Sequence, residues 1–184
     1  MSSCVLFANG LLAYGTSMNL PSHSVQFYHD DLFLTQSVAR FITDGLQANE
    51  TVIIVATVQH REELQRVLTP EQITHDKLRF FDAEEQLSHF MVAEWPSERQ
   101  FRRVVDGMLG QARQSGPVRI FGEMVAVLWA RRYTWAALRL EALWNKLLEE
   151  HSFALLCAYP MSNLSTDHKS VQAISRLHTH VHTQ

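Results

Sequence analysis

The chain alternates short runs of β-branched and aromatic residues with stretches of helical period. Val25–Tyr28 (VQFY) reads as a first strand. Behind it, Asp30 or Asp31 can cap a helix whose apolar positions, Leu34, Val38, Phe41 and Ile42, recur at helical spacing and whose stop is Gly45. Val52–Ala56 (VIIVA) is apolar without alternation, as a strand covered on both faces should be. A helical segment around His60–Leu68 is punctuated by Pro70, and Leu78–Phe81 (LRFF) forms a third strand with a short helix after it. Ser97 and Gln100 stand at capping-box spacing, ahead of a helix striped by Phe101, Val104, Val105, Met108 and Leu109. The fourth strand, Val118–Phe121, runs into Gly122-Glu123 and an apolar helical segment to Trp129. Thr134–Glu150 is a strong helix with Ala136, Leu140, Leu143, Trp144 and Leu147 on one side. Phe153–Tyr159 (FALLCAY) is a fifth apolar strand stopped by Pro160, and a last helix is expected over Ser170–His180. The terminal HTHVH (His178, His180, His182) has the side chains of a chelator but reads as a fraying polar tail.

Strands separated by helices predict an α/β fold: three layers, with a mostly parallel central sheet of about five or more strands and helices on both faces. Right-handed crossovers follow from the connection rule. The 184 residues fit one domain, placed at 22–182. Residues 1–21 read as an N-terminal extension, with Met18 just ahead of the first convincing element as an alternative start. No Lys or Arg precedes Arg40 and no long apolar run occurs, so neither a secretory signal nor a membrane span is expected.

Charge narrows the partners. The formal net charge is −3, and Lys and Arg gather only in pairs such as Arg102-Arg103 and Arg131-Arg132, which argues against direct nucleic-acid binding. Two cysteines, Cys4 and Cys157, make neither a disulfide framework nor a CxxC motif, so a reducing cytoplasm is the expected compartment.

Open parallel sheets bind ligands outside the carboxyl ends of their strands. That rule selects His29-Asp30-Asp31, Thr57–His60, Asp82-Ala83-Glu84, Gly122-Glu123 and Tyr159-Pro160 as one rim. A phosphate loop would require glycines after the first strand, where this chain has YHDDLFLTQ with two carboxylates, so P-loop ATP hydrolysis is not expected. Asp30, Asp31, Asp82, Glu123 and Glu141 with His23, His29 and His60 are metal or acid–base types, but their spacing matches no motif; no metal and no cofactor is predicted. Glu141 borders an apolar helix stripe and calls for a backbone amide or an Arg as partner. Glu123 reads equally as functional or structural. Trp129, Trp135 and Trp144 read as core, with one of them free to line a pocket, and Cys157 as a buried small hydrophobe.

The segments HSVQFYHDDLFLTQSVARFITDGL, ATVQHREEL, FFDAEEQLSHFMV, VRIFGEMVAVLW, LRLEALWNKL and FALLCAYPM occur in the order of the MEDS domain, the methanogen/methylotroph DcmR sensory domain, which the chain resembles over about residues 22–182. The resemblance implies a RecA/KaiC-like fold that has lost its P-loop and a bacterial or archaeal signalling role. It also implies sensing of small, hydrocarbon-like molecules, alone or beside DNA-binding or histidine-kinase modules. Its signature falls on His23, Phe27, Tyr28, Asp31, Phe41, Gly45, Leu46, Thr57, His60, Asp82, Ala83, Gly122, Glu123, Leu140, Glu141, Trp144, Asn145, Cys157, Tyr159 and Pro160. Two loops depart from the pattern, Ala93–Glu98 (AEWPSE) and Ala130–Trp135 (ARRYTW), and both are candidates to line a pocket.

The expectation is a non-enzymatic cytoplasmic sensory domain that binds a small ligand at the rim and regulates a partner such as a histidine kinase or transcription regulator. Its ligand-binding residues would be Tyr28, His29, Asp31, His60, Asp82, Glu123, Glu141, Trp144 and Tyr159. A homo-oligomer is compatible with this. The alternatives are a ligand-free pseudo-ATPase scaffold for oligomerisation or docking, and an enzyme using the carboxylate–His set.

Overall fold

The computed structural model describes residues 21–164 and 168–184. Strand β1 (Ser22–Tyr28) leads through helix α1 (Asp31–Gln47) to β2 (Thr51–Ala56), and α2 (Val58–Val67) and α3 (Pro70–Ile73) lead to β3 (Leu78–Asp82). Helix α4 (Ala83–Phe90) ends in a small antiparallel hairpin, β4 (Met91–Val92) with β5 (Trp95–Pro96). Helix α5 (Glu98–Ala112) then brings the chain to β6 (Val118–Gly122), α6 (Met124–Ala130) and α7 (Thr134–Glu150) connect to β7 (Ala154–Pro160), and α8 (His168–Ser175) precedes β8 (His180–Thr183).

Six strands form one sheet in the order β3-β2-β6-β7-β1-β8, and every pairing in it is parallel. Alternation divides the apolar side chains between its two faces. Val52, Ile54, Ala56, Phe121, Leu156 and Ala158 pack under α1 and α2 through Leu34, Val38, Phe41, Ile42 and Leu64. Val25, Phe27, Ile53, Val55, Ile120, Leu155 and Tyr159 face the opposite layer, built by α4 to α8. Burial on both sides explains why the central strands are apolar without alternation. The expected three-layer architecture is the observed one. No helix among the described residues is long and apolar enough to cross a membrane.

Several boundaries differ from the sequence reading, each for a local reason. Helix α1 runs past Gly45 to Gln47, and the left-handed turn falls on Asn49 at φ 61°. Gly45 answers to close packing instead: a Cβ there would lie 2.7 Å from both Arg119 Cδ and Val52 Cγ2. Gly45→Ala is therefore expected to destabilise by about 1–3 kcal/mol through overpacking, read as a lower urea midpoint at unchanged slope. Ser97 makes no side-chain cap for α5, so the anticipated capping box is absent. Glu98, next along, instead ties that helix to α7 through Arg139 at 3.0 Å and through Lys146. Trp129 and Trp144 are core, but Trp135 is 75% exposed. The terminal histidines do not fray: His180 and His182 lie in β8, which pairs with β1 through Ser24–Phe27.

Candidate functional site

Glu123 sits where β6 gives way to α6, and its backbone N–H donates to the Val55 carbonyl at 2.9 Å. Its carboxylate is buried. One oxygen accepts from the Thr57 N–H at 2.9 Å and the other lies 2.5 Å from His60 Nδ1. Thr57 follows β2 and caps α2, its hydroxyl accepting from the His60 N–H. The second ring nitrogen of His60, Nε2, is 3.7 Å from an Asp31 carboxylate oxygen in the first turn of α1, and it has no hydrogen-bond partner. Tyr28 closes β1 beside them; burial, and then the charges of Glu123 and Asp31, push its phenol well up. Four of the expected rim residues, Tyr28, Asp31, His60 and Glu123, thus meet at the ends of β1, β2 and β6. Their grouping follows from the parallel sheet, which delivers each strand end and helix start to one edge.

Burial on its own would lower the His60 pKa, but the hydrogen bond and charge of Glu123, with the charges of Asp31 and Glu63, raise it above 6.5. The protonated pairing therefore contributes stability fully below the unfolded value and loses it as pH rises through the raised native value. An NMR titration is expected to place the His60 midpoint above 6.5 in the native protein, and Glu123→Gln to move it down. A native midpoint at or below 6.5 would contradict the pairing.

The remaining rim residues are occupied elsewhere. His29 is exposed. The N–H groups of His29 and Asp30 both donate to the Gln184 side-chain oxygen, at 2.8 and 3.2 Å, and the Leu32 N–H donates to Asp30 Oδ1 at 2.7 Å. Asp82 caps α4 by accepting from the Glu85 N–H and pairs with Arg61 at 2.6 Å, which holds its carboxyl below the usual range. Gly122 has no positive φ, and a Cβ on it would meet nothing within 4 Å, so neither conformation nor close approach demands the glycine.

Glu141 and Tyr159 belong to a second polar cluster, sealed inside the α4–α8 layer rather than set on the rim. Glu141 is fully buried, and its partners are neither amide nor Arg. The Tyr159 hydroxyl donates to Oε1 at 2.8 Å and the Cys157 thiol to Oε2 at 3.4 Å. His23 Nε2 is 3.2 Å from Oε2, and His178 Nε2 is 3.4 Å from Oε1. Burial alone would raise the Glu141 pKa, yet His178 and His23 beside it hold it far below the usual carboxylate range. Burial first, and then the Glu141 charge, push the Cys157 thiol up. His23, Glu141, Cys157 and His178 place four metal-ligand atoms within 4.8 Å of one another. Cys4 lies outside the described residues.

Of these, sequence reading picked out Glu141 and Tyr159 but placed them on the rim. Parity was the available signal. His23 alternates with Val25 and Phe27, and Cys157 with Tyr159, so all face one side of the sheet. Glu141 and Asn145 are one helical turn apart. Trp144, expected at the rim, lies edge-on between Phe101 at 4.9 Å and Phe153 at 6.2 Å.

The two departing loops come together. Val92, Glu94, Trp95, Arg132, Tyr133 and Trp135 line an open cleft of about 290 Å³ between the hairpin and the α6–α7 junction.

The fold resembles that of a solved Pyrococcus horikoshii OT3 protein described as "Structural study of Project ID PH0250", with a TM-score of 0.58 and 6% identity over 88% of this chain and 81% of that one. At that identity the likeness concerns the fold alone. Among curated proteins no sequence matches. The sequence model of MEDS, the methanogen/methylotroph, DcmR sensory domain, matches residues 22–179, nearly the whole described chain, and the protein belongs to that family.

Proposed function

We propose that the chain is the input half of a signalling system: a domain that binds a small organic molecule at the rim and passes its occupancy to a protein partner, without turning the ligand over. The observation that carries this reading is the buried, unpartnered Nε2 of His60 beside Asp31 and above the fixed Glu123 carboxylate. A buried polar nitrogen without a partner costs about 1–3 kcal/mol, and a ligand acceptor at that place would recover it. Tyr28, buried at the end of β1, lies close enough to Glu123 and Asp31 for their charges to act on its phenol.

The start of α1 supports a ligand other than a nucleotide. The His29, Asp30 and Leu32 N–H groups that a phosphate would recruit are already bonded to oxygens of Gln184 and Asp30. The Asp30 and Asp31 charges at the same place would oppose a phosphate.

A docking module that needs no ligand is the second reading, favoured by the exposed Trp95 and Trp135 beside the cleft. Native mass spectrometry of protein purified from its own host separates the two. Sensing predicts a co-purifying small molecule that disappears in Glu123→Gln while the fold is retained. Repeated isolation of ligand-free protein in a stable protein complex would overturn it.

A further inference from the structure

We infer that His23, Glu141, Cys157 and His178 form a tetrahedral site for a divalent first-row transition ion, zinc above all. The inference is independent of the rim. Three separations belong to one set of ligand atoms: 3.2 Å for His23 Nε2 to Glu141 Oε2, 3.4 Å for Cys157 Sγ to the same oxygen, and 3.4 Å for His23 Nε2 to Cys157 Sγ; His178 Nε2 lies 3.4 Å from the other carboxylate oxygen, Oε1. A tetrahedral ion bound at about 2.0–2.3 Å separates its ligands by about 3.3–3.8 Å. Three of the separations already lie near that range, and one atom from each of the four residues fits within 4.8 Å, so a bound ion would draw the set closer together.

The outer hydrogen bonds point the same way. Asn145 donates its amide N–H to the Leu177 carbonyl at 2.7 Å, which turns its oxygen toward His23 Nδ1 at 2.9 Å. His178 Nδ1 lies 2.7 Å from the Ile174 carbonyl, which can only accept. Both rings therefore carry hydrogen on Nδ1 and direct Nε2 inward, as histidines that ligate metals do. His178 Nε2 has no hydrogen-bond partner although its side chain is fully buried, so one nitrogen aims into the cluster unused. Two neutral imidazoles, a carboxylate and a thiolate around a divalent ion sum to zero charge, the state that a site this deep tolerates best. Imidazole nitrogen, carboxylate oxygen and thiolate sulfur together suit zinc or cobalt rather than calcium or magnesium.

Such an ion would join four separate pieces of chain: β1, α7, β7 and the turn between α8 and β8. Protein stripped with chelator is expected to bind one equivalent of Co(II), showing a thiolate-to-cobalt charge-transfer band and the intense visible bands of four-coordination. With Zn(II) its melting temperature should rise. Cys157→Ser should abolish the charge-transfer band, and His178→Gln should remove the four-coordinate visible bands, with folding of each variant checked by far-UV circular dichroism. A His180→Ala/His182→Ala double variant should leave the spectrum unchanged. The assignment is overturned if the folded stripped protein takes up no Co(II). It is also overturned if the spectrum survives His178→Gln, or is lost only with His180 and His182.

Discussion

Glu50→Ala is expected to lower the stability of the protein by about 3–5 kcal/mol. Arg119 lies in the interior strand β6, 2% exposed, and its guanidinium is paired with Glu50 at the start of β2. The same guanidinium donates to the Phe41 carbonyl at 3.0 Å and stacks 4.9 Å over the Phe41 ring. Removing the carboxylate leaves a buried cation without its countercharge. The cost therefore reflects the stranded charge more than the lost pair. Urea unfolding should show this as a sharp fall in midpoint. Converting both partners together, Glu50→Leu with Arg119→Met, should restore most of the loss, because the pair itself contributes little once neither charge is present. A Glu50→Ala protein as stable as the parent would show that Arg119 finds another partner.

Trp144→Ala is expected to cost about 3–5 kcal/mol, with no change at the rim. The indole is 1% exposed and wedged between Phe101 and Phe153, where truncation opens a cavity that three surrounding elements, α5, α7 and the approach to β7, must partly collapse to fill. The same substitution should leave the His60 titration and any ligand held at Glu123 as they were. Loss of ligand from a folded Trp144→Ala protein would place the indole in the binding site and contradict its position in the core.

That second outcome bears on what the sequence could disclose. Strands β2 and β7 were legible because burial on both faces removes polar residues from their length, the other three as short β-branched or aromatic runs between helical stretches, and the helices because their stripes repeat. The rule that ligands gather at strand ends then identified Tyr28, Asp31, His60 and Glu123 as neighbours. It failed for Tyr159, which ends a strand but turns its side chain into the covered face; Trp144 and Glu141, named as ligand-binding although no strand ends at them, lie on a helix stripe that points inward. Strand β8 was missed since an edge strand of His-Val-His-Thr is held by backbone pairing to β1, which leaves no apolar run to see. The buried cluster was only partly legible: parity puts His23 and Cys157 on one face of the sheet but does not bring them together. Its members carry no local spacing, and only the pairing of β1 with β7, and the return of the chain at Thr179 to His23 across 156 positions, brings them together.

The position of β1 in the sheet also governs when the protein becomes complete. It is the first strand of the domain to be synthesised, yet among the described residues its partners are β7 and β8, the last two. At about 5–20 residues per second, β1 waits on the order of ten seconds for the ribosome to deliver β7. During that interval β2, β3 and β6 can pair with one another under α2, while β1 and α1 have only part of their final surroundings. The buried cluster is assembled by this late closure, for it joins His23 of β1 to Cys157 of β7 and His178 beyond it. A product interrupted before β7 would carry Tyr28, Asp31, His60 and Glu123 of the rim but lack Cys157 and His178 of the buried cluster.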